Sequence, residues 1–559
     1  MSETAESRLQ ATSKYLNFGP WSVELRGEEL VQIRHRGLPV LRGLRAVVRN
    51  HNWLTLAPSI IACQAHESAE SLRLILDVAW EGYAARYSGR VTLLFQAESI
   101  TVSFQGAAVE GFASNRIGLV VLHRPDDAGR PVTVTAPDGS RSEATFPTHI
   151  SAHQPFQNIA ALDWERDHIA YRLAFDGDVF ETEDQRNWTD ASFKTYSTPL
   201  SKPFPVTHHP GDTVRQTIRL SARQIIRIRD EPSGAVPALG TSAGTSTSEA
   251  PSRADPLPAE FAPLLAEVAL DADAALGLVA AAEAAALAKN LNIRLDARII
   301  ADTPEEAVAV LRALPLDRTA RVGVYGRTSH ITQDTLWDAI AAEAKELGYR
   351  GELVAGARSH FTELNRNQDS ARQDADAVTY AITPQMHATE PAAIVETLPM
   401  QTLAADDALL ISNGRPLHIG PVTLAPRFNA VATQPPLAEE LPTGDTLQET
   451  PFAAAWLLGS VAALTGPGTA SITYGTIAEL GTAAGQLLLK LATHRGSEVL
   501  ATDTEPETVA IYPVRTPGGI RAFAANLTAN ALTVRIISPY GAAQDLSLAP
   551  WQTTALLLP

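Results

Sequence analysis

A polar stretch between Glu181 and Pro205 combines side chains that could hold a sugar or another polyol. Its sequence, ETEDQRNWTDASFKTYSTPLSKPFP, brings carboxylates, an amide, an arginine and a lysine together with aromatic rings. Carboxylates and amides exchange hydrogen bonds with hydroxyl groups, while aromatic rings cover the C–H faces of a sugar. The composition therefore points to polyol recognition as one chemistry for this stretch.

A buried ion-pair network is the competing interpretation of the same residues. Arg186 could pair with Asp184 or with Asp190, and such a pair would hold the chain without binding any ligand. A solvated edge strand accounts for Glu181, but it does not account for aromatic residues such as Trp188, because exposed rings are costly in a soluble protein. Composition alone does not choose between the two interpretations.

A second group of candidates follows predicted strands further along the chain. GELVAGA precedes a loop with Arg358, His360 and Glu363, and the other predicted strands are likewise followed by polar loops. Loops at the carboxyl ends of strands carry the chemistry of a (β/α)8 barrel, so these side chains are expected to assemble one site. The candidates in these loops are Glu363, Asn365, Arg366, Gln385, His387, Glu390, Arg427 and Glu479.

Four segments are predicted to position these residues. Residues 1–228 contain short alternating runs such as RVTLLFQ, which predict an antiparallel β-sandwich. Residues 229–260 are rich in Ser, Thr, Gly, Ala and Pro and are predicted to form a flexible linker. Strand, loop and helix patterns alternate over residues 261–495 and predict a (β/α)8 barrel, although its first two units read as mostly helical. Residues 496–559 return to β patterns and predict a small C-terminal β-sandwich.

Composition and charge exclude several classes of function. The 559-residue chain has a formal net charge of −17, which argues against general affinity for nucleic acid or anionic membranes. Its single cysteine, Cys63, excludes an intramolecular disulfide and a cysteine-based zinc site. The first residues are polar and no apolar run is long enough to span a membrane, so a cytoplasmic protein is expected.

Two short motifs are set aside. GTSAG, with Ser242, matches the pattern of a nucleophile elbow, which needs a buried strand before the serine and a helix after it. Both flanks are predicted to be linker, so Ser242 is not a candidate nucleophile. His208 and His209 are adjacent, and adjacent side chains on a strand point to opposite faces, so a surface turn is the favoured interpretation.

The chain resembles the D-apionate lactonase family of sugar-acid catabolism. The resemblance rests on FETEDQRNWTDASFKTYSTPLSKPFP, PFQNIAAL, FTELNRN, TPQMHATE and GPVTLAPRFN. It implies a hydrolase that opens the lactone ring of a branched aldonic acid, and it favours a lactone site over an ion-pair network for the stretch after Glu181. Substrate-binding residues are then expected to be Asp184, Arg186, Asn187, Trp188, Asp190 and Lys194, with Asn365, Arg366, Gln385 and Arg427 from the barrel.

Lactone hydrolysis needs a base to activate water and donors to stabilise the developing oxyanion. His387 or Glu363 is predicted to be the acid or base, with Glu390 and Glu479 as further catalytic candidates. No cofactor is predicted, and a divalent metal stays an open option without a ligand pattern that requires it. The expected partner is a small sugar lactone.

Two alternatives stay open. A glycoside hydrolase needs two carboxyl groups that flank the scissile bond. The segments after the predicted fourth and seventh strands, RTSH and APRFN, contain no acid, which lowers this alternative. A non-catalytic carbohydrate-binding relative is the other.

Overall fold

The structure is a computed structural model. It describes residues 13–244, 257–272, 278–427, 445–503 and 508–559. The described chain divides into two compact units. The first unit holds the described residues up to Ile225 together with Leu532–Arg535, and the second unit holds Ile226–Ala531 together with Ile536–Pro559.

The first unit is built from antiparallel strands, as the alternating patterns predict. One sheet has the order β1-β2-β3-β4-β9-β16-β15-β12 with β17 beside β9, and the other runs β11-β10-β13-β14-β18-β8-β7-β6-β5. The strands are β1 (Lys14–Phe18), β2 (Trp21–Arg26), β3 (Glu29–His35), β4 (Leu38–Asn50), β5 (Ala57–Glu67), β6 (Leu72–Gly82), β7 (Ala85–Gln96), β8 (Ser99–Ala108), β9 (Phe112–Leu122), β10 (Pro131–Thr135), β11 (Arg141–Thr145), β12 (Phe156–Ile159), β13 (Ala161–Arg166), β14 (Ile169–Asp176), β15 (Phe180–Asp184), β16 (Phe193–Tyr196), β17 (Val206–His208) and β18 (Thr213–Ala235).

The two sheets share one hydrophobic core. Leu119 and Val121 of β9 and Phe104 of β8 are buried in the same cluster of apolar side chains. Burial alternates along strands such as β7, where every second side chain points into this core. This alternation of buried and exposed side chains explains why the sequence pattern predicts strands such as β7.

Eight of the described strands of the second unit close into a parallel barrel. Neighbouring strands pair in chain order, and β19 pairs with both β27 and β20 to complete the ring, while the short β21 extends from β20. The strands are β19 (Ala238–Ser242), β20 (Leu264–Ala269), β21 (Val279–Ala280), β22 (Leu295–Ala301), β23 (Thr319–Gly326), β24 (Glu352–His360), β25 (Ala377–Ile382), β26 (Leu417–Val422) and β27 (Thr469–Thr476).

Helices follow several of these strands, and C-terminal antiparallel strands complete the unit. The predicted barrel is thus confirmed, with β23 as its fourth strand and β26 as its seventh. The described helices are α1 (Ala281–Asn290), α2 (Pro304–Ala313), α3 (Asp334–Glu346), α4 (Phe361–Arg366), α5 (Pro391–Glu396), α6 (Leu398–Ile411), α7 (Pro451–Leu464) and α8 (Ala483–Ala492). The C-terminal strands are β28 (Glu498–Thr502), β29 (Val509–Thr516), β30 (Gly519–Asn526), β31 (Leu532–Ile537), β32 (Ala543–Leu548) and β33 (Thr553–Leu558). Of these, β31 contributes Leu532–Arg535 to the first unit.

The prediction of a linker over residues 229–260 is wrong for its first part. Residues 229–235 lie in β18, and Ala238–Ser242 is the first barrel strand, buried along its whole length. Small residues occur here because the chain is closely packed: a Cβ atom on Gly240 would lie 2.7 Å from the Cβ of Ala262. Residues 245–256 of the predicted linker lie outside the described residues, and the predicted domain boundaries stay predictions.

The second barrel strand also departs from its prediction. Leu264–Ala269, read as helical, forms β20, whose six residues are all buried. A strand that is buried on both faces shows no alternation, so its apolar run resembles a buried helix. The helix of this region begins only at Ala281.

Charged side chains fill part of the barrel interior, where apolar residues are usual. Asp296 accepts hydrogen bonds from Arg298 Nε at 2.7 Å and from Arg321 Nη1 at 3.1 Å, and it is fully buried. Burial alone would raise the pKa of Asp296, but the two guanidinium groups outweigh it and hold that pKa well below its usual range. Arg321 also reaches Ser471 and Glu352, so this network joins several strands.

We expect Asp296→Ala to lower the free energy of unfolding by about 3–5 kcal/mol, because it leaves two buried guanidinium groups without their carboxylate. Asp317→Ala, at an exposed position, is the control and should change that free energy by less than about 0.5 kcal/mol. Urea unfolding followed by the helical circular-dichroism signal measures both. Equal stability of the two variants would show that the network does not hold the barrel.

Candidate active site

The carboxylate of Glu267 joins three elements inside the barrel near the carboxyl ends of its strands. Glu267 lies on β20, and Arg358 of β24 reaches it with two hydrogen bonds of 3.2 Å and 2.7 Å. Arg427, in the loop after β26, pairs with the same carboxylate at 2.9 Å and donates to the backbone oxygen of Arg358 at 2.5 Å. Burial by itself would raise the pKa of Glu267, but the two arginines lower it to about 2.

His360 is the last residue of β24 and lies two residues after Arg358. The charge of Arg427 acts on its ring, which places the imidazole near the triad. Neither ring nitrogen of His360 has a hydrogen-bond partner among the residues that the structure describes. Burial lowers the pKa of His360, Glu363 acts in the opposite direction, and Arg427 lowers it further. The ring is therefore held neutral, and because both nitrogens are shielded from solvent, a ligand or a water molecule would have to enter beside the ring to reach its lone pair.

Glu363 lies next to this histidine on the first turn of α4. The helix begins at Phe361, immediately after His360, and the Glu363 carboxylate accepts a hydrogen bond from Ser359 Oγ at 2.9 Å. Its half-buried side chain acts on His360 through its charge. The predicted acid or base Glu363 thus lies beside an imidazole.

A buried polar cluster adjoins the triad, since Arg298 of β22 lies opposite Glu267 in the register of β20 and β22. Arg298 Nη1 donates to the hydroxyl of Tyr325 at 3.1 Å and to Thr379 Oγ1 at 2.5 Å. Burial raises the pKa of Tyr325 to about 12, although Arg298 opposes the shift. His330 has a pKa lowered to about 4 by burial and by the charge of Arg358. The contacts of Arg298 hold the polar side chains beside the triad in place.

Glu479 lies after the eighth strand, beside a cavity of about 20 Å³ that is large enough for roughly one water molecule. Its carboxylate caps the backbone N–H of Thr476, and burial raises its pKa even though the Thr476 hydrogen bonds lower it. Gly475 has φ +50°, and a Cβ atom there would lie 2.1 Å from the Glu479 carboxylate. A glycine at this position therefore makes room for the carboxylate.

The other predicted barrel residues lie further from this cluster. His387 is exposed in the loop after β25, and Glu390 is exposed just before α5. Asn365 and Arg366 are exposed on α4. Gln385 donates a hydrogen bond to Asp445. No contact joins these side chains to His360 or Glu267 within the described part of the chain, so their predicted roles stay predictions.

In the first unit, Asp184 and Arg186 form an ion pair, as the competing interpretation of this stretch predicts. Asp184 is fully buried and accepts from Arg186 Nε at 2.8 Å, from Arg186 Nη2 at 2.7 Å and from Ser151 N at 2.8 Å. Asn187 donates to the backbone oxygen of Ser151. The predicted ligand role of Asp184 and Arg186 finds no support in these contacts, because their polar atoms bind the protein itself.

The other residues singled out in this stretch differ from one another in exposure. Trp188 and Asp190 are exposed, while Lys194 is largely buried and pairs with Glu183. The expectation of a solvated Glu181 is wrong: its side chain is buried, and it accepts hydrogen bonds from Tyr196 Oη at 2.5 Å and from Leu200 N at 2.8 Å. Glu181 is buried because it bonds to Tyr196 and Leu200, which lie further along the chain.

Sequence reasoning missed Glu267, although it is the centre of the triad. Glu267 lies in an apolar, alanine-rich run that reads as a helix, so no strand end was assigned there. The sequence does contain one signal: Glu267 is the single charged residue in an otherwise apolar run of six. A charge in such a run must be paired when it is buried, so it indicates an ion pair in the core.

No group of three or more His, Cys, Asp or Glu side chains in the described ranges is arranged to hold a metal ion. None of the helices in those ranges is long and apolar enough to cross a membrane.

Comparison with known families decides the classification. The N-terminal domain of D-apionate lactonase matches residues 1–225, and the TIM barrel domain of D-apionate lactonase matches residues 246–487. This chain belongs to the D-apionate lactonase family. A member from Brucella anthropi, described as D-apionate lactonase, is 27% identical over 454 residues, which cover 75% of this chain and 74% of that protein. The resemblance stated from the motifs is thereby confirmed.

Solved structures resemble this family member only distantly. A GH30 endoxylanase from Clostridium papyrosolvens aligns with a TM-score of 0.37 and 9% identity over 59% of this chain and 99% of that one. A conserved exported protein from Bacteroides fragilis aligns with a TM-score of 0.39 and 7% identity over 60% of this chain and 100% of that one. Likenesses at this level carry no argument about activity.

Proposed function

We propose that this protein hydrolyses the lactone ring of a branched aldonic acid, D-apionolactone or a close relative, to the free acid. The observation that carries the proposal is the match of two D-apionate lactonase domains, one in each unit. The relative from Brucella anthropi supports the same substrate class through its description. The chemistry is that of a carboxylic-ester hydrolase in sugar-acid catabolism.

His360 is proposed as the general base. Its half-buried ring is neutral at neutral pH, and neither nitrogen is used by a described protein group, so one nitrogen can accept a proton from water. Glu363 lies on the following helix and its carboxylate would stabilise the imidazolium that forms. His360 thus takes the role that was predicted for His387, while Glu363 keeps a part in the acid–base chemistry.

Arg427 is proposed to stabilise the oxyanion. Its guanidinium lies at the barrel mouth with 22% of the side chain exposed, and Glu267 and the backbone of Arg358 fix its orientation. A donor that is oriented before the reaction stabilises developing charge without reorganising in the transition state. Arg358, which is buried, acts as a positioning residue through Glu267.

The proposed reaction proceeds through a tetrahedral intermediate. Water attacks the lactone carbonyl carbon as its proton passes to His360, and the carbonyl oxygen becomes an oxyanion beside Arg427. Collapse of the intermediate restores the carbonyl and breaks the ring C–O bond, and the leaving alkoxide takes the proton from the imidazolium. The acid product then ionises to its carboxylate.

We expect His360→Asn to lower kcat at least about a hundredfold, the usual minimum for loss of a general base. His387→Asn is the matched control, because it makes the same change at an exposed histidine of the neighbouring loop. Acid release from D-apionolactone, followed with a pH indicator, measures both variants. Loss of activity in His387→Asn but not in His360→Asn would reverse the assignment.

The pH profile gives an independent test. Because burial lowers the pKa of His360, the base stays unprotonated below the usual histidine range. Activity should therefore persist to a pH below about 6.5 and fall as the pH drops through the lowered pKa. An acid limb of kcat/KM centred above about 6.5 would contradict this assignment.

A panel of substrates separates the lactonase from its alternatives. Acid release from aldonolactones without cleavage of aryl glycosides supports the proposal. Cleavage of aryl glycosides would instead support a glycoside hydrolase, and inactivity on both would support a non-catalytic carbohydrate-binding relative.

A further inference from the structure

Two paired strands of the first unit present a charged face that the proposed reaction does not use. In the register of β15 and β16, Glu181 lies opposite Tyr196, and Glu183 lies opposite Lys194. Opposed residues project from the same face of a sheet, so these four side chains lie together. Glu181 is already bound to Tyr196 and to Leu200 N.

Lys194 has spare donor capacity at this face. Its side chain is 13% exposed, and its Nζ pairs with Glu183 and lies 4.7 Å from the centre of the Tyr196 ring. Among the described residues, Glu183 is the only acceptor that Nζ contacts. An ammonium group has three N–H donors, so a ligand with oxygen acceptors would satisfy those that Glu183 leaves.

Arg49 supplies a second cation. It lies near the end of β4, it is half-buried, and its guanidinium makes no hydrogen bond or ion pair with the described residues. Its charge acts on Glu183 and Tyr196. Glu183 pairs with Lys194, the charge of Asp190 also acts on Lys194, and Glu181 is bound to Tyr196 and Leu200 N, so none of these three carboxylates forms an ion pair with Arg49. A carboxylate ligand would balance the second cation.

Trp188 adds an apolar surface next to these charges. Its ring is 72% exposed, and its Nε1 donates to Glu183 at 3.1 Å, which ties the ring to the same cluster. The Asp184–Arg186 ion pair holds the short turn that carries this tryptophan. An exposed and oriented ring of this kind suits the C–H face of a sugar.

We infer that Lys194, Arg49 and Trp188 form a binding site for a small sugar acid on the first unit. The cations bind the carboxylate, Glu183 accepts a hydrogen bond from a hydroxyl group and the indole ring covers the carbon chain. The choice of a sugar acid rests on the proposed function, since hydrolysis of the lactone produces that class of molecule. The site itself rests on the contacts of β15 and β16.

Titration calorimetry of the full chain with sodium D-apionate tests this site, with erythritol as an uncharged polyol. We expect D-apionate to bind and erythritol to bind at least tenfold more weakly. Lys194→Met and Arg49→Met should each weaken D-apionate binding at least about tenfold, since each removes a charge-assisted contact with the carboxylate. Lys202→Met, at an exposed lysine of the same unit, should bind like the parent protein.

Further variants distinguish loss of the binding site from loss of the fold. Trp188→Ala changes an exposed residue, so it should fold and still weaken binding, and circular dichroism checks the fold of every variant. His360→Asn should bind D-apionate like the parent protein. Absence of D-apionate binding, equal binding of erythritol, or unchanged binding in Lys194→Met, Arg49→Met and Trp188→Ala would each overturn the inference.

The outcomes for the two proposals differ. Binding that is lost in His360→Asn but kept in Lys194→Met would place the ligand at the barrel and overturn the inference without affecting the proposed lactonase. Lysine-dependent binding by a protein that hydrolyses no lactone would support the inference and reject the proposed function.

Discussion

Ion pairs inside the barrel are the interaction on which the rest of the second unit depends. A buried charge is tolerated only when it is paired and hydrogen-bonded, so each charged residue on an inner strand face restricts where the neighbouring strands can lie. Asp296 binds Arg298 of its own strand and Arg321 of the next, and Arg298 reaches Thr379 across the interior. These contacts fix the strands more specifically than an apolar filling would, because hydrogen bonds are directional.

The same constraint orients the proposed catalytic groups. Glu267 holds Arg358 and Arg427, and Arg358 fixes the last residues of β24. His360 follows Arg358 by two positions at the end of β24, and the charge of Arg427 acts on its ring. A neutral imidazole at the end of β24 and an oriented guanidinium in the loop after β26 therefore lie near one another, and α4 adds Glu363 by starting directly after the strand.

In the first unit, one stretch of sequence carries two kinds of residue. Asp184 and Arg186 are bound to the protein and shape the turn, whereas Glu183, Lys194 and Trp188 are linked to one another on the other face of β15 and β16. Alternation along a strand separates the two sets. This explains how the interpretations of an ion-pair network and of a sugar-binding surface each describe part of the stretch.

The sequence alone predicts the β-sandwich strands, the barrel and the family, because period-two alternation, repeated strand–helix units and long motifs are local signals. It did not determine the first two barrel strands, since Ala238–Ser242 and Leu264–Ala269 are buried on all sides and lose their periodicity. The folded chain was needed to show that Glu181 is buried, that Glu267 pairs with Arg358 across 91 positions, and that both nitrogens of His360 lack partners among the described residues. Pairing of buried charges depends on which strands meet in space, and no local pattern of residues contains that information.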